Sequence, residues 1–339
     1  MQLKKLLLLG AIFITLETLS AQDIHATLFN MTPLTLNPAL TGAYEGTARI
    51  GGMYRDQWRS FVPNAFTRPT IYLDAPIIRG FRKTDWVGVG LMNYSDKAGS
   101  GKLGVTASML SLSYHFAMDK ARKNVLTLGL QGGQVQRSFG DKEKLKFADA
   151  ITSGLPTEET SFDDVSYLDF NAGLMLRSTL QDNAGLEIGL AFNHITQPKY
   201  NFQDVQPGTD DGALKRPMRI VAHSKYETDL TDKWSIAPTV LAQLTGGATE
   251  VMLQGWGGYQ INQDYKLNFG LGYRFGDAGQ LLLGADYQEQ LKVAFGYDLN
   301  VSSLNVASKY QGGFEIAAYY IFKIYKKPDT RPAIICPHF

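Results

Sequence analysis

The sequence predicts an antiparallel transmembrane β-barrel of about fourteen strands, with twelve to sixteen allowed by the pattern. Three observations predict it. Residues 265–299 alternate with a period of two, segments of the same kind recur along residues 47–325, and no apolar run after the leader is long enough for a membrane helix. In the first of these, Tyr265, Leu267, Phe269, Leu271, Tyr273 and Phe275 share one parity. Lys266, Asn268, Gly270, Gly272 and Arg274 share the other. The pattern resumes with Leu281, Leu283, Ala285 and Tyr287, then with Leu291, Val293, Phe295 and Tyr297. Such segments read as strands with one apolar and one polar or small face. Short connections join consecutive strands into a meander.

A sandwich would bury the apolar face against a second sheet, whereas a membrane barrel turns it to lipid. Strand length favours the barrel, since about ten residues cross a tilted wall. Aromatic position favours it too. Trp58, Trp86, Tyr94, Tyr114, Tyr226, Trp234, Tyr259, Tyr265, Tyr273, Tyr287, Tyr297 and Tyr325 fall near predicted strand ends, where amphipathic rings suit the membrane interface.

Residues 1–21 read as a secretory signal. Lys4 and Lys5 form the charged region, residues 6–16 the apolar region, and the expected cut lies between Ala21 and Gln22. Leu19 is a poor residue three places before that cut. Residues 22–46 hold Pro33 and Pro38, which oppose a long regular element. They read as an irregular lead-in tucked into the barrel mouth, a possible plug.

Strands are then expected over 47–58, 67–76, 86–94, 103–116, 125–137, 165–179, 185–192, 216–226, 233–244, 250–262, 265–275, 280–288, 290–300 and 312–325. The second is expected to be short, with Pro69 near its start. Two long polar interruptions lie at 138–164 and 194–214. Long loops should face outward and short turns the periplasm, although not every connection sorts by length. Residues 326–339 hold three prolines and form a periplasmic tail rather than a strand.

The charge count excludes some functions. The 339-residue chain has a formal net charge of +1, which lacks the basic excess of a nucleic-acid surface. The single cysteine, Cys336, rules out an internal disulfide, and no lipid-attachment cysteine stands at the expected cut. His25, His115, His194, His223 and His338 have no ligand-like spacing, and neither a metal nor another cofactor is expected. No G-x-S-x-G elbow is present. Acidic residues at Asp141, Glu143, Glu158, Glu159, Asp163 and Asp164 fit a solvated loop better than a calcium site.

Several short motifs carry a family resemblance. NMTPLTLNPALTGAYEG at 30–46 is followed by YRDQW at 54–58. GLGYRF at 270–275, LLLGADY at 281–287 and AFGYDLNVSSL at 294–304 come later, then GGFEIAAYYIF at 312–322 and the terminal CPHF at 336–339. Their order and spacing resemble the PorP/SprF family across nearly the whole mature chain. Two positions depart from its usual pattern: Leu40 stands where an aromatic is commoner, and His338 where arginine is. The resemblance implies an outer-membrane barrel of the type IX secretion system of Bacteroidota. It also implies work with the secretion and gliding machinery, or in export and anchoring of a very large adhesin. The implied partners are components of that machinery, the C-terminal domain of a cargo protein, and outer-membrane lipid.

Three groups of residues are singled out for function. Asn37, Pro38 and Gly42, with Arg55, Gln57 and Trp58, form an N-terminal structural or partner motif; Arg55 and Gln57 share a parity that lets them hold the leading segment from the lumen. Arg274, Asp286, Lys292, Asp298 and Glu315 are lumen-facing charges, read as an ion-pair lattice or, alternatively, the lining of a selective pore. Cys336, Pro337, His338 and Phe339 are a tail suited to docking a periplasmic partner. The favoured function is a non-enzymatic secretion component. A diffusion porin is the alternative, and a barrel hydrolase the third.

Overall fold

The computed structural model describes residues 26–59, 66–99, 101–140, 164–181, 183–200, 214–303 and 305–324. The expected signal sequence at 1–21 and the tail motif Cys336–Phe339 lie outside these residues. The barrel strands are β1 (Ala48–Gln57), β2 (Phe66–Arg79), β3 (Trp86–Ala98), β4 (Leu103–Ala117), β5 (Asn124–Phe139), β6 (Val165–Gln181) and β7 (Ala184–Asn193). A two-residue ladder follows, β8 (Lys199–Tyr200) with β9 (Leu214–Lys215). The wall continues with β10 (Arg219–Asp229), β11 (Trp234–Thr245), β12 (Ala248–Gln260), β13 (Tyr265–Arg274), β14 (Ala278–Tyr287), β15 (Leu291–Asn300) and β16 (Gln311–Phe322). Fourteen strands form one closed antiparallel barrel, in which β7 pairs with β10 and β1 closes on β16.

The faces follow the parity of the sequence. On β13 Leu267, Phe269 and Leu271 are 46%, 45% and 67% exposed on the outer wall, while Arg274 is 1% exposed. Leu110 and Leu130 are exposed in the same way on β4 and β5. An apolar belt of that size is stable only against lipid. Rings cluster at its rims, as in the Tyr265–Tyr287 pair at 4.9 Å and the Trp234–Tyr259 pair at 4.9 Å.

An even strand count returns both ends of the wall to one rim. That rim carries the connections at 80–85, 118–123, 182–183, 230–233, 261–264 and 288–290, all six residues or shorter. The opposite rim carries 140–164 and 194–218. By the rule for such barrels, the first is periplasmic and the second extracellular. The sorting is cleaner than the sequence suggested. Turns 246–247 and 275–277 are short but sit on the long-loop rim, so only that rim mixes lengths.

Two strand limits differ from expectation. The second strand is not short but runs fourteen residues, Phe66–Arg79. Its prolines are accommodated because Pro69 has no partner in the β3 register and Pro76 borders a bulge at Pro76/Ile78. The strand expected from 216 starts at Arg219, since Leu214–Lys215 pair with β8 instead. Pro217 lies between the two pairings.

Residues 26–46 lie inside the barrel. Three single turns break the segment: Phe29–Met31, Pro33–Leu36 and Pro38–Leu40. Pro33 and Pro38 each occupy a first helical position, where a missing N–H costs nothing. Leu28, Phe29, Met31, Leu36, Ala39 and Leu40 are buried against Met53, Met175, Val221, Leu241, Met252 and Leu282 from the wall. Leu34 packs into a second cluster with Tyr72, Met92, Met109 and Val135. Each such side chain taken from water contributes about 1.5–3 kcal/mol. The lumen therefore contains a hydrophobic core.

Candidate functional site

The site is the seat of residues 26–46, built from three posts and a row of small residues. The first post holds Thr27 and Leu28 at the extracellular half of the lumen. Glu315 on β16 accepts the Thr27 N–H at 2.8 Å and the Leu28 N–H at 2.6 Å. Arg55 on β1 pairs with the same carboxylate and lies 3.6 Å from Asp298. Thr27 Oγ1 donates to Asp298 at 2.5 Å and accepts from Arg274 at 2.9 Å, and Gln254 donates to the Thr27 carbonyl at 2.8 Å. Arg274 also pairs with Asp298 at 3.2 Å and Asp277 at 2.7 Å. Charges buried this far from water persist only when paired and hydrogen-bonded.

The second post is Asn37, which is fully buried. Its amide nitrogen donates to the Leu174 carbonyl at 3.1 Å, the Leu190 carbonyl at 3.4 Å and His223 Nε2 at 3.1 Å. Its oxygen accepts the Ala39 N–H at 2.9 Å, capping the turn that starts at Pro38.

The third post holds the way out of the lumen. Asp74 on β2 receives Arg49 through both oxygens, at 2.9 and 2.8 Å, and accepts the Gly42 N–H at 2.7 Å. Arg49 lies over the Tyr44 ring at 4.4 Å, and burial together with the Asp74 charge pushes the Tyr44 phenol well above its usual range. Trp86 donates to the Gly42 carbonyl at 3.0 Å. Ser113 and His115 converge on the Thr41 carbonyl at 2.6 and 2.8 Å, and Arg177 reaches the Ala43 carbonyl at 2.6 Å. Gly42 has φ +65, and a Cβ there would press on the Gly88 backbone at 2.8 Å, so glycine is required on both counts.

Between the posts the wall itself is cut back. Gly88, Ser113, Gly129, Gly173 and Ala191 are successive partners across β3, β4, β5, β6 and β7. They form one inward row of minimal side chains. A Cβ on Gly129 would collide with Pro38 and Ala39, and one on Gly173 with the Asn37 side chain. The chain therefore lies directly on the sheet over residues 37–41.

Of the residues singled out in the sequence, Asn37, Pro38, Gly42, Arg55, Arg274, Asp298 and Glu315 meet in this seat. Gln57 accepts from Arg55 at 3.0 Å. Trp58 stands apart at the extracellular rim with its ring edge-on to Phe66 at 5.3 Å. Lys292 and Asp286 pair at 3.2 Å on the periplasmic half, away from the first post. Sequence reasoning missed Thr27, Arg49, Asp74, His115, His223 and Gln254, and also Gln131, which donates to the Leu34 carbonyl at 3.1 Å. One available signal was methionine: Met53, Met92, Met109, Met175 and Met252 all take the inward parity and are buried. A wet lumen would not use them.

Two pockets flank the segment. One of about 610 Å³ opens at the extracellular side beside Arg55, Arg68, Arg137 and Arg274. Another of about 540 Å³ opens at the periplasmic side beside Tyr44, Arg122, Arg177, Glu187 and Lys225. Among the described residues, no three His, Cys, Asp or Glu side chains are placed to hold a metal ion.

A family model described as type IX secretion system membrane protein PorP/SprF matches residues 18–320. The chain belongs to the PorP/SprF family. No curated protein matches it. Among solved structures, this PorP/SprF barrel is similar to the CymD monoaromatic hydrocarbon channel at 11% identity and TM-score 0.49, covering 87% of this chain and 94% of that one. It is similar to the toluene transporter TbuX of Ralstonia pickettii at 12% identity and TM-score 0.47, covering 90% and 96%. A Pseudomonas aeruginosa FadL homologue gives 13% identity and TM-score 0.48, covering 84% and 93%. Family and barrel together place the PorP/SprF chain in the outer membrane as a component of type IX secretion.

Proposed function

We propose that the protein is a non-enzymatic outer-membrane platform of the type IX secretion and gliding machinery in a Bacteroidota envelope, assisting the export or surface anchoring of a partner protein. One observation carries this reading: the lumen is occupied by residues 26–46 on three buried posts, which suits a platform rather than a conduit. In this view residues 22–46 are a plug, 47–325 the wall and 326–339 a periplasmic tail, with the signal removed at Ala21/Gln22. The partner, a cargo C-terminal domain or a large adhesin, engages the loops and rims. Cys336, Pro337, His338 and Phe339 dock periplasmic machinery.

Affinity capture of the full chain from native outer membranes tests the assignment. Recovery of type IX components or a long adhesin is expected; recovery of neither overturns it. A channel is the second reading, favoured by the pockets on both sides of the segment. Planar-bilayer recording separates the two. The platform gives no stable open-channel current, and a large steady current would select the channel.

A further inference from the structure

We propose that the outer wall over β3–β7 carries a binding site for one anionic phospholipid of the periplasmic leaflet. An apolar groove of about 720 Å³ runs along the lipid-facing side of these strands, lined by Phe81, Leu112, Tyr114, Leu128, Leu174 and Phe192. Its floor lies where Ala172 stands between Leu130 and Phe192 in the outward row, one methyl between two large side chains. A surface of this shape takes an acyl chain. Its periplasmic end meets turn 80–85, which folds against the outside of the barrel. Phe81 is 98% exposed and its ring packs on Tyr114 at 5.7 Å. Arg82 lies 3.9 Å over the Phe116 ring, also on the outer wall. The turn thus sits at headgroup level, with its ring toward the acyl region and its cation above.

Charge selects the occupant. Turns 80–85 and 118–123 together hold Arg82, Lys83 and Lys120, with Arg122 and Lys123 of the same turns lining the periplasmic pocket, against Asp85 and Asp119. Both carboxylates are already engaged. Asp85 takes Arg82 at 2.9 and 3.0 Å, Tyr114 at 2.7 Å and the Ala117 N–H at 3.1 Å. Asp119 caps the Lys123 and Asn124 amides at 3.0 and 2.7 Å. The turns at 182–183, 230–233, 261–264 and 288–290 hold one lysine against four carboxylates. Among the periplasmic turns, basic charge is therefore concentrated in the two that adjoin the groove. An apolar slot with a cationic end fits a chain with an anionic head, and each nearby cation strengthens retention about fivefold.

Native mass spectrometry of the full chain, released in detergent and offered phosphatidylglycerol or phosphatidylcholine of identical chains, tests the site. One phosphatidylglycerol should stay bound where phosphatidylcholine leaves. Exchanging Lys83→Gln together with Lys120→Gln should lower retention at least fivefold, and Ala172→Phe, which fills the groove without touching charge, should abolish it. Lys233→Gln, on another periplasmic turn, should change nothing. Arg82 is kept because it holds Asp85. The lysine pair is exposed and leaves the fold intact, so it decides the matter even if Ala172→Phe misfolds. Equal retention of the two lipids, loss of the lipid to millimolar inorganic phosphate, unaltered binding by the lysine pair, or a membrane protein recovered in place of lipid would each overturn the proposal.

Discussion

Glu315→Gln should release the start of the plug while leaving the wall closed. The native carboxylate serves three donors at once: the Thr27 and Leu28 amides and Arg55. Glutamine has the same shape but one acceptor oxygen and no charge. One amide loses its partner, and the bond that survives becomes neutral. Hydrogen bonds to a buried charged group are worth about 1.5–3 kcal/mol each. Arg55 keeps Gln57 at 3.0 Å and Asp298 at 3.6 Å, which limits the added cost. The expected loss is about 3 kcal/mol, or roughly a hundredfold in the opening equilibrium of that stretch. Hydrogen exchange of the folded full-length protein reads it directly. Peptides covering 26–32 should lose about two decades of protection, whereas peptides over 37–43 should hold, because Asn37 and Asp74 are separate anchors. Unchanged protection at 26–32 would refute the role given to Glu315. Uniform loss across the strands would show that the carboxylate supports the wall rather than the segment.

Asn37→Ala should cost about 2 kcal/mol by removing the bonds to the Leu174 and Leu190 carbonyls and the cap on the Ala39 amide, seen as faster exchange confined to 37–41. Gly173→Val should push Asn37 off the sheet and expose the lumen, so that a bilayer current appears only in the variant. In turn 80–85, hydrogen bonds from Arg82 hold the Asp85 carboxyl well below the usual carboxylate range. Because that value is depressed on folding, the stabilisation is complete above the ordinary carboxylate pKa and fades only as pH falls through the lower folded value. The turn should therefore keep its Arg82–Asp85 bonds from pH 7 to about 4, followed by the Asp85 carboxyl carbon shift in NMR. Asp85→Asn, which cannot titrate, should weaken the turn alike at every pH and leave no pH dependence.

The wall was readable because a strand between lipid and lumen must alternate, and alternation survives without knowing the register. Leu267, Phe269 and Leu271 declare the outer face wherever β13 pairs. The plug was harder. Its irregular character could be read from Pro33 and Pro38, but its seat could not. Gly88, Ser113, Gly129, Gly173 and Ala191 come from five strands, and they form a row only once each pairing is fixed. Asp298 and Glu315 were read as members of an inner lattice. That reading included their partner Arg274 but set Arg55 apart in the N-terminal motif, and it missed that both carboxylates also grip Thr27, some 270–290 residues earlier. Prolines 69 and 76 misled in the other direction: their missing donors fall at a pairing gap and a bulge, so β2 continues through both.

The grip of β15 and β16 on Thr27 has a consequence for how the molecule comes into being. The described residues that leave the exporter first are held by carboxylates on the strands that leave last, and β16 is also the strand that seals the cylinder against β1. No partial chain can satisfy the opening residues. Their ordering therefore reports that β16 has arrived and the cylinder has closed, which makes these residues an internal check on the last strand of the wall.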